Sequence, residues 1–155
     1  MVILGIETSC DETAASVVKD GREILSHVVA TSAEMHAKTG GIIPERAARE
    51  QVRAIMPVIQ EALTQAEGGK WRVEAGKNID VIAVTVGPGL IGSLLVGVET
   101  AKTLSYVWKK PIVPVNHLIA HLYANWLALN SKHEIRNPKQ IPNSKFQIPK
   151  LPAVA

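Results

Sequence analysis

"VILGIETSCDETAASVVKDGREILSHVVAT", Val2 to Thr31, holds three β-prone runs: "VILGIET", "TAASVVKD" and "REILSHVVAT". Valine, isoleucine and threonine suit a pleated, half-buried surface, so each run reads as a strand. Asp20-Gly21 separates the second from the third. That pair is a strong two-residue hairpin signal, because the favoured turn needs positive φ at its centre. The chain therefore opens as a three-stranded meander.

Working outward, "SAEMHAKTGGII" contains a Gly40-Gly41 pair that breaks any helix, and Pro44-Glu45 marks a helix start. Ala48, Val52, Ile55, Met56, Ile59, Leu63 and Ala66 then recur at three- and four-residue spacing. They predict an amphipathic helix, kinked at Pro57 and ended by Gly68-Gly69. "IDVIAVTVG" is nearly continuous in apolar residues, as expected of a central strand covered on both faces. After "GPG" the pattern gives a helix from about Ile91 to Lys109, a short strand "PIVPV", and a helix reaching about Leu129. The order β, β, β, α, β, α, β, α implies an α/β fold with a mixed sheet flanked by helices. It matches the ribonuclease H-like half of the actin, sugar kinase and chaperone ATPase superfold. Members of that superfold set two such halves around a ligand cleft, and the pattern here supplies one.

Composition narrows the class. With 155 residues, 46% hydrophobic and 20% charged, the chain can bury the core of one domain. The single cysteine, Cys10, excludes an internal disulfide framework and points to a reducing compartment, the cytoplasm by default. The longest apolar runs are too short or too glycine-rich to span a bilayer, so no membrane role is expected. Residues 1–131 carry 12 Lys/Arg against 13 Asp/Glu, whereas 132–155 carry 5 against 1. The organisation read from this is a domain over 1–131, then a basic, proline-containing linker or loop over 132–150. That stretch is read as a solvated connector, with contact to a polyanion such as RNA the minority reading. Residues 151–155 look like the start of a further strand, which makes the chain the N-terminal portion of something longer.

Three stretches carry chemistry. In "PVNHLIAHLYANWL", His117 and His121 stand one helical turn apart, so both imidazoles project from one face and can share a divalent ion. Two polar residues on a helix rim account for the spacing at least as well, with Asn116 as a cap. "GIETSCDET" places Glu7, Ser9, Cys10, Asp11 and Glu12 where the first strand ends, at the cleft of this superfold. Carboxylates there can bind a metal-bound phosphate or move protons; a solvated polar turn is the alternative. "TVGPGLIGS" sets three glycines at a strand-to-helix junction, but it lacks the Gly-Lys-Ser/Thr ending of a Walker loop. Backbone approach to a phosphate and close helix packing both explain it. The helix that follows is apolar around most of its circumference: Ile91, Leu94, Leu95 and Val98 on one side, Val96, Leu104 and Val107 roughly opposite. A second apolar face calls for another domain or protein.

"GIETSCDETAASVV", "HAKTGGIIPERAAREQ", "VTVGPGLIGSLLVG" and "KTLSYVWKKPIVPVNHLIAHL" together resemble the tRNA N6-adenosine threonylcarbamoyltransferases, historically labelled O-sialoglycoprotein endopeptidases. The resemblance covers essentially the whole chain. It implies transfer of the threonylcarbamoyl group from threonylcarbamoyl-AMP to the exocyclic amine of the adenosine beside the anticodon in tRNA. It implies that His117 and His121 are metal ligands, that a distant aspartate beyond Ala155 completes the site, and that Asp11 and Glu12 are needed for catalysis. The cofactor implied is one divalent metal ion, iron by family, with zinc or magnesium as alternatives. The partners implied are tRNA, a paralogous TsaB-like subunit and, in bacteria, a small TsaE-like ATPase. Many members place an acidic residue and a glycine between the histidines, where this chain has Ile119 and Ala120. Those positions are not ligands. The basic stretch Lys132 to Lys150 is also longer than is usual in bacterial members.

Two other functions compete. A non-catalytic paralogous subunit keeps this fold but lacks the histidines. A metalloprotease, as the old label has it, needs His-Glu-x-x-His, and residue 118 is leucine.

Overall fold

The computed structural model describes residues 1–32, 40–68 and 75–129. The basic segment 132–150 and the strand start at 151–155 lie outside the described residues.

The meander is present. Strands β1 (Val2–Glu7), β2 (Glu12–Lys19) and β3 (Glu23–Thr31) pair antiparallel in sequence, with Val2 opposite Lys19 and Glu12 opposite Thr31. Asp20 and Gly21 adopt φ of 52° and 68°, the conformation the hairpin signal required. Strand β4 (Val81–Gly87) then joins β1 in parallel, and β5 (Ile112–Asn116) joins β4 in parallel. A two-residue β6 (Ala128–Leu129) pairs with β3, giving the order β5-β4-β1-β2-β3-β6. The two prolines near β5, Pro111 and Pro114, are tolerated because β5 is an edge strand.

Helices α1 (Pro44–Ala66) and α2 (Ile91–Trp108) pack on the sheet and on each other. The register explains the core. Leu4 stands beside Ile82 and Val17, and Ile6 beside Val84 and Ala15, so these side chains share one face. Against that face α1 buries Ile55, Val58, Ile59, Ala62 and Leu63, while α2 adds Ala101 and Leu104. Fully burying an aliphatic side chain of this kind is worth about 1.5–3 kcal/mol.

Three sequence expectations change. The buried stripe of α1 is Ala47, Gln51, Ile55, Val58, Ile59, Ala62 and Leu63, whereas Val52 and Met56 are exposed at 63% and 45%. The helix is rotated because the polar Gln51, which no hydrophobic count would choose, is drawn inward by hydrogen bonds. In β4, Ile82 and Val84 are buried on one face while Val81 and Ala83 on the other keep intermediate exposure; towards the strand's end the pattern reverses, with Thr85 buried and Val86 exposed, so the strand is not covered evenly on both faces. The histidine helix, α3, is short: it spans His117–Tyr123 and gives way to a 3-10 turn at Ala124–Trp126 instead of running to Leu129.

On α2 the buried stripe is Ser93, Gly97, Ala101 and Leu104. Leu104 therefore belongs to the core, while Ile91 and Leu95 are exposed at 79% and 52%. Pro44, Val52, Ile91 and Gly92 line one shallow concavity there. Among the described residues no helix is long and apolar enough to cross a membrane.

Candidate metal and acidic site

Strands β1, β4 and β5 run parallel, so their carboxyl ends gather at one edge, the usual ligand position in open α/β sheets. Glu7 ends β1, Thr85 lies near the end of β4, and Asn116 ends β5. Three segments distant in sequence converge there.

Asn116 turns the chain from β5 into α3. Its Oδ1 accepts hydrogen bonds from the backbone N–H groups of Leu118 and Ile119 at 2.9 and 3.2 Å, an N-cap of ordinary form. The cap fixes where α3 starts and so where its first residue, His117, points. One turn on, His121 brings its Nε2 to 3.0 Å from the Nε2 of His117, the rings meeting edge to face at 89°. Two ligands on one ion at about 2.0–2.1 Å stand roughly 2.9 Å apart at a right angle and about 3.3 Å apart at a tetrahedral one. The 3.0 Å separation falls within that range of distances. Among the described residues no group of three or more histidine, cysteine or acidic side chains is placed to hold a metal.

Behind the pair lies a carboxylate. Glu7 Oε2 stands 3.2 Å from His117 Nδ1 and accepts a hydrogen bond from the Thr85 hydroxyl, while Oε1 accepts one from the backbone N–H of Ser9. Ser9 Oγ lies 3.2 Å from the same His117 nitrogen. Burial pushes the Glu7 carboxyl upward, but hydrogen bonds from Ser9, Thr85 and His117 outweigh it and hold Glu7 below the usual carboxylate range. Glu7 is an acceptor at neutral pH.

Beyond Ser9 the turn carries Cys10, Asp11 and Glu12. Asp11 is half-buried, and Glu12 is exposed at the start of β2. Burial, with the Asp11 charge beside it, pushes the Cys10 thiol up, which disfavours a thiolate nucleophile.

The turn is clamped from below. Gln51 on α1 donates through Nε2 to the carbonyls of Cys10 and Glu12 at 2.8 and 3.1 Å. Ser93 on α2 donates to the Cys10 carbonyl at 3.2 Å, and Leu90 N–H donates to the Ser9 carbonyl at 2.8 Å. Two glycines of α2 and its entry make this approach possible. A Cβ on Gly89 would lie 2.6 Å from the Ser9 carbonyl oxygen, and one on Gly97 would lie 2.4 Å from Thr8 Oγ1. In this structure those glycines serve close packing of the turn on the helix.

The histidine pair and the acidic turn are thus neighbours through Glu7 and Ser9. What the sequence reading did not find is the Glu7–His117 pairing, the support from Thr85, and Gln51. Glu7 and His117 are 110 positions apart, and no periodicity links them. The one available signal was the superfold, which puts strand ends together.

A family model described as TsaD: tRNA N6-adenosine threonylcarbamoyltransferase matches residues 23–142. Curated relatives carry the same enzyme name. One from Thermomicrobium roseum is 54% identical over 138 residues, covering 89% of this chain and 36% of the relative. One from Listeria welshimeri is 54% identical over 124 residues, covering 80% and 34%. The chain spans about a third of the length of the curated relatives it matches. Among solved structures, YeaZ from Pseudomonas aeruginosa aligns with a TM-score of 0.51 at 17% identity, covering 75% of this chain and 45% of that one, a likeness of fold alone.

Proposed function

The chain belongs to the tRNA N6-adenosine threonylcarbamoyltransferase family, and on that footing we propose that it supplies the N-terminal part of an acyltransferase acting on tRNA in the cytoplasm. The observation that carries the reading is the convergence of His117 Nε2 and His121 Nε2 at 3.0 Å, beside an acidic turn at the carboxyl ends of parallel strands.

In the proposed reaction, the exocyclic amine of the tRNA adenosine attacks the carbamoyl carbonyl carbon of threonylcarbamoyl-AMP. The new C–N bond forms as the C–O bond to phosphate breaks and AMP leaves. The proton lost by the amine needs an acceptor, and Asp11 or Glu12 at the mouth of the site is suited to receive it. His117 and His121 would hold a divalent ion, iron by the family resemblance. When bound, such an ion polarises a carbonyl and stabilises charge that develops during transfer. Glu7 and Ser9 fix His117, and Asn116 fixes the helix that carries both imidazoles.

None of the residues of α3 is buried, and Leu118, Ile119 and Leu122 stand exposed next to the histidines. That supports a site which further polypeptide covers, including the third ligand. The exposed apolar group Val52, Met56, Ile91 and Leu95 supports docking of a paralogous, TsaB-like subunit. The histidine pair argues against a non-catalytic role for this chain. The test supplies the remainder of the enzyme in trans or as a fusion, with tRNA and threonylcarbamoyl-AMP. The completed protein should transfer, and bind one metal tightly, while the chain alone binds weakly and transfers nothing. His117→Ala or His121→Ala should remove metal and activity together. Tight metal binding by the isolated chain would overturn the divided site, and a completed enzyme that never binds metal would make the histidines structural.

A further inference from the structure

We propose that Glu7 is the positioning residue of the histidine pair: it holds His117 as the Nδ1–H tautomer, so that the bare Nε2 of His117 faces His121. The inference rests on the reading of the pair as a cation site.

The protons facing Glu7 and those on the two Nε2 atoms can be assigned from their neighbours, with the Ser9 hydroxyl, 3.2 Å from His117 Nδ1, free to turn toward Glu7 and accept from Nδ1–H. The Ser9 backbone N–H must donate, and Glu7 Oε1 accepts it. Glu7 Oε2 accepts from the Thr85 hydroxyl and lies 3.2 Å from His117 Nδ1. A carboxylate has no hydrogen to give, so the imidazole nitrogen facing it must carry one. The opposite tautomer would set lone pair against lone pair at that distance. His117 Nε2 is then an acceptor. At 3.0 Å from His121 Nε2 it needs a donor, so in the metal-free chain His121 carries its hydrogen on Nε2. Binding a cation requires both Nε2 atoms bare. His117 is ready for it, and His121 alone must exchange its proton through solvent to Nδ1. A carboxylate that orients a ligating histidine through its second nitrogen typically changes metal affinity by about 10–100-fold when lost.

The cluster also explains why Glu7 is half-buried: its side chain is 30% exposed and that of His117 is 26% exposed. A glutamate withdrawn from water costs free energy unless its oxygens are satisfied, and here both accept hydrogen bonds.

The test is long-range proton–nitrogen NMR of the metal-free 155-residue chain, labelled at histidine nitrogens, above the pH at which imidazoles protonate. His117 should show the Nδ1–H pattern and His121 the Nε2–H pattern. Glu7→Gln, folded by circular dichroism, should mix the His117 tautomers and weaken zinc binding, measured by calorimetry, about 10–100-fold. Ser9→Ala should keep the His117 tautomer, because Glu7 remains. A wild-type His117 found mainly as Nε2–H overturns the proposal, with no variant needed. So does a Glu7→Gln chain with wild-type tautomers, or a loss of the preference in Ser9→Ala. If the tautomers are as expected but the protein completed by the remainder of the enzyme binds zinc no more tightly with Glu7 than with the Glu7→Gln substitution, the cation reading falls and the positioning role stands.

Discussion

The side-chain nitrogen of Gln51 donates to the carbonyl oxygen of Cys10 at 2.8 Å, fastening the turn that carries Asp11 and Glu12 to the inner face of helix α1. Gln51 is 1% exposed, so water cannot replace it. Gln51→Ala should destabilise the chain by about 1–3 kcal/mol, because the Glu12 carbonyl loses its donor from α1 and the Cys10 carbonyl keeps only that of Ser93. Urea unfolding reads this directly. A midpoint equal to the parent's would show that the turn holds itself.

Asp11→Ala and Glu12→Ala, placed in the completed enzyme, should leave folding intact and lower transfer. Glu12 is exposed and Asp11 is half-buried, positions where substitutions usually cost within about 0.5 to 1 kcal/mol. Single-turnover assays with threonylcarbamoyl-AMP check it. Parent-like rates in both variants would remove them from the chemistry.

Gly97→Ala puts a methyl 2.4 Å from Thr8 Oγ1, and Gly89→Ala puts one 2.6 Å from a backbone oxygen of Ser9. Helix or strand must shift to make room, at a cost of about 1–3 kcal/mol. Both variants should unfold at lower denaturant than the parent. A parent-like midpoint for Gly97→Ala would mean that the helix can slide at little cost.

On the outer face, Ile91→Glu or Val52→Glu should abolish association with a paralogous subunit while the chain stays folded, because a charge would be desolvated in the contact. Leu104→Glu should unfold the chain instead, since Leu104 lies in the core. Size-exclusion chromatography with circular dichroism separates the two. A folded Ile91→Glu chain that still assembles would place the contact elsewhere.

Acid should act through Glu7. Its folded carboxyl titrates below its ordinary value, so the folded state binds that proton more weakly than the unfolded state does. The stabilisation is present above the ordinary glutamate range and is lost as pH falls through the folded value. Glu7→Gln does not titrate. The stability difference between parent and Glu7→Gln should therefore shrink on acidification, and a constant difference from neutral to acid pH would contradict the assignment.

The sequence by itself determined the local elements and the kind of fold. Asp20-Gly21 allowed only a tight hairpin between β-prone runs, Pro44 and the three- to four-residue periodicity defined α1, and the alternation after it required parallel strands with helical crossovers. The spacing of His117 and His121 set both imidazoles on one helical face, and Asn116 was legible as a cap. These are properties of neighbouring residues, settled by backbone sterics and hydrogen bonding within a few positions. Tertiary structure alone decided that Gln51 faces inward and Val52 outward, because the pull on Gln51 comes from carbonyls some forty positions away. It likewise decided that Leu104 is core while Ile91 is surface, on a helix whose buried stripe is mostly small residues and whose apolar pattern therefore has no single side. And it alone joined Glu7 to His117, since the ends of β1 and β5 meet only after β4 is inserted between them. A hydrogen bond across 110 residues depends on strand order and register, which no short stretch of chain encodes.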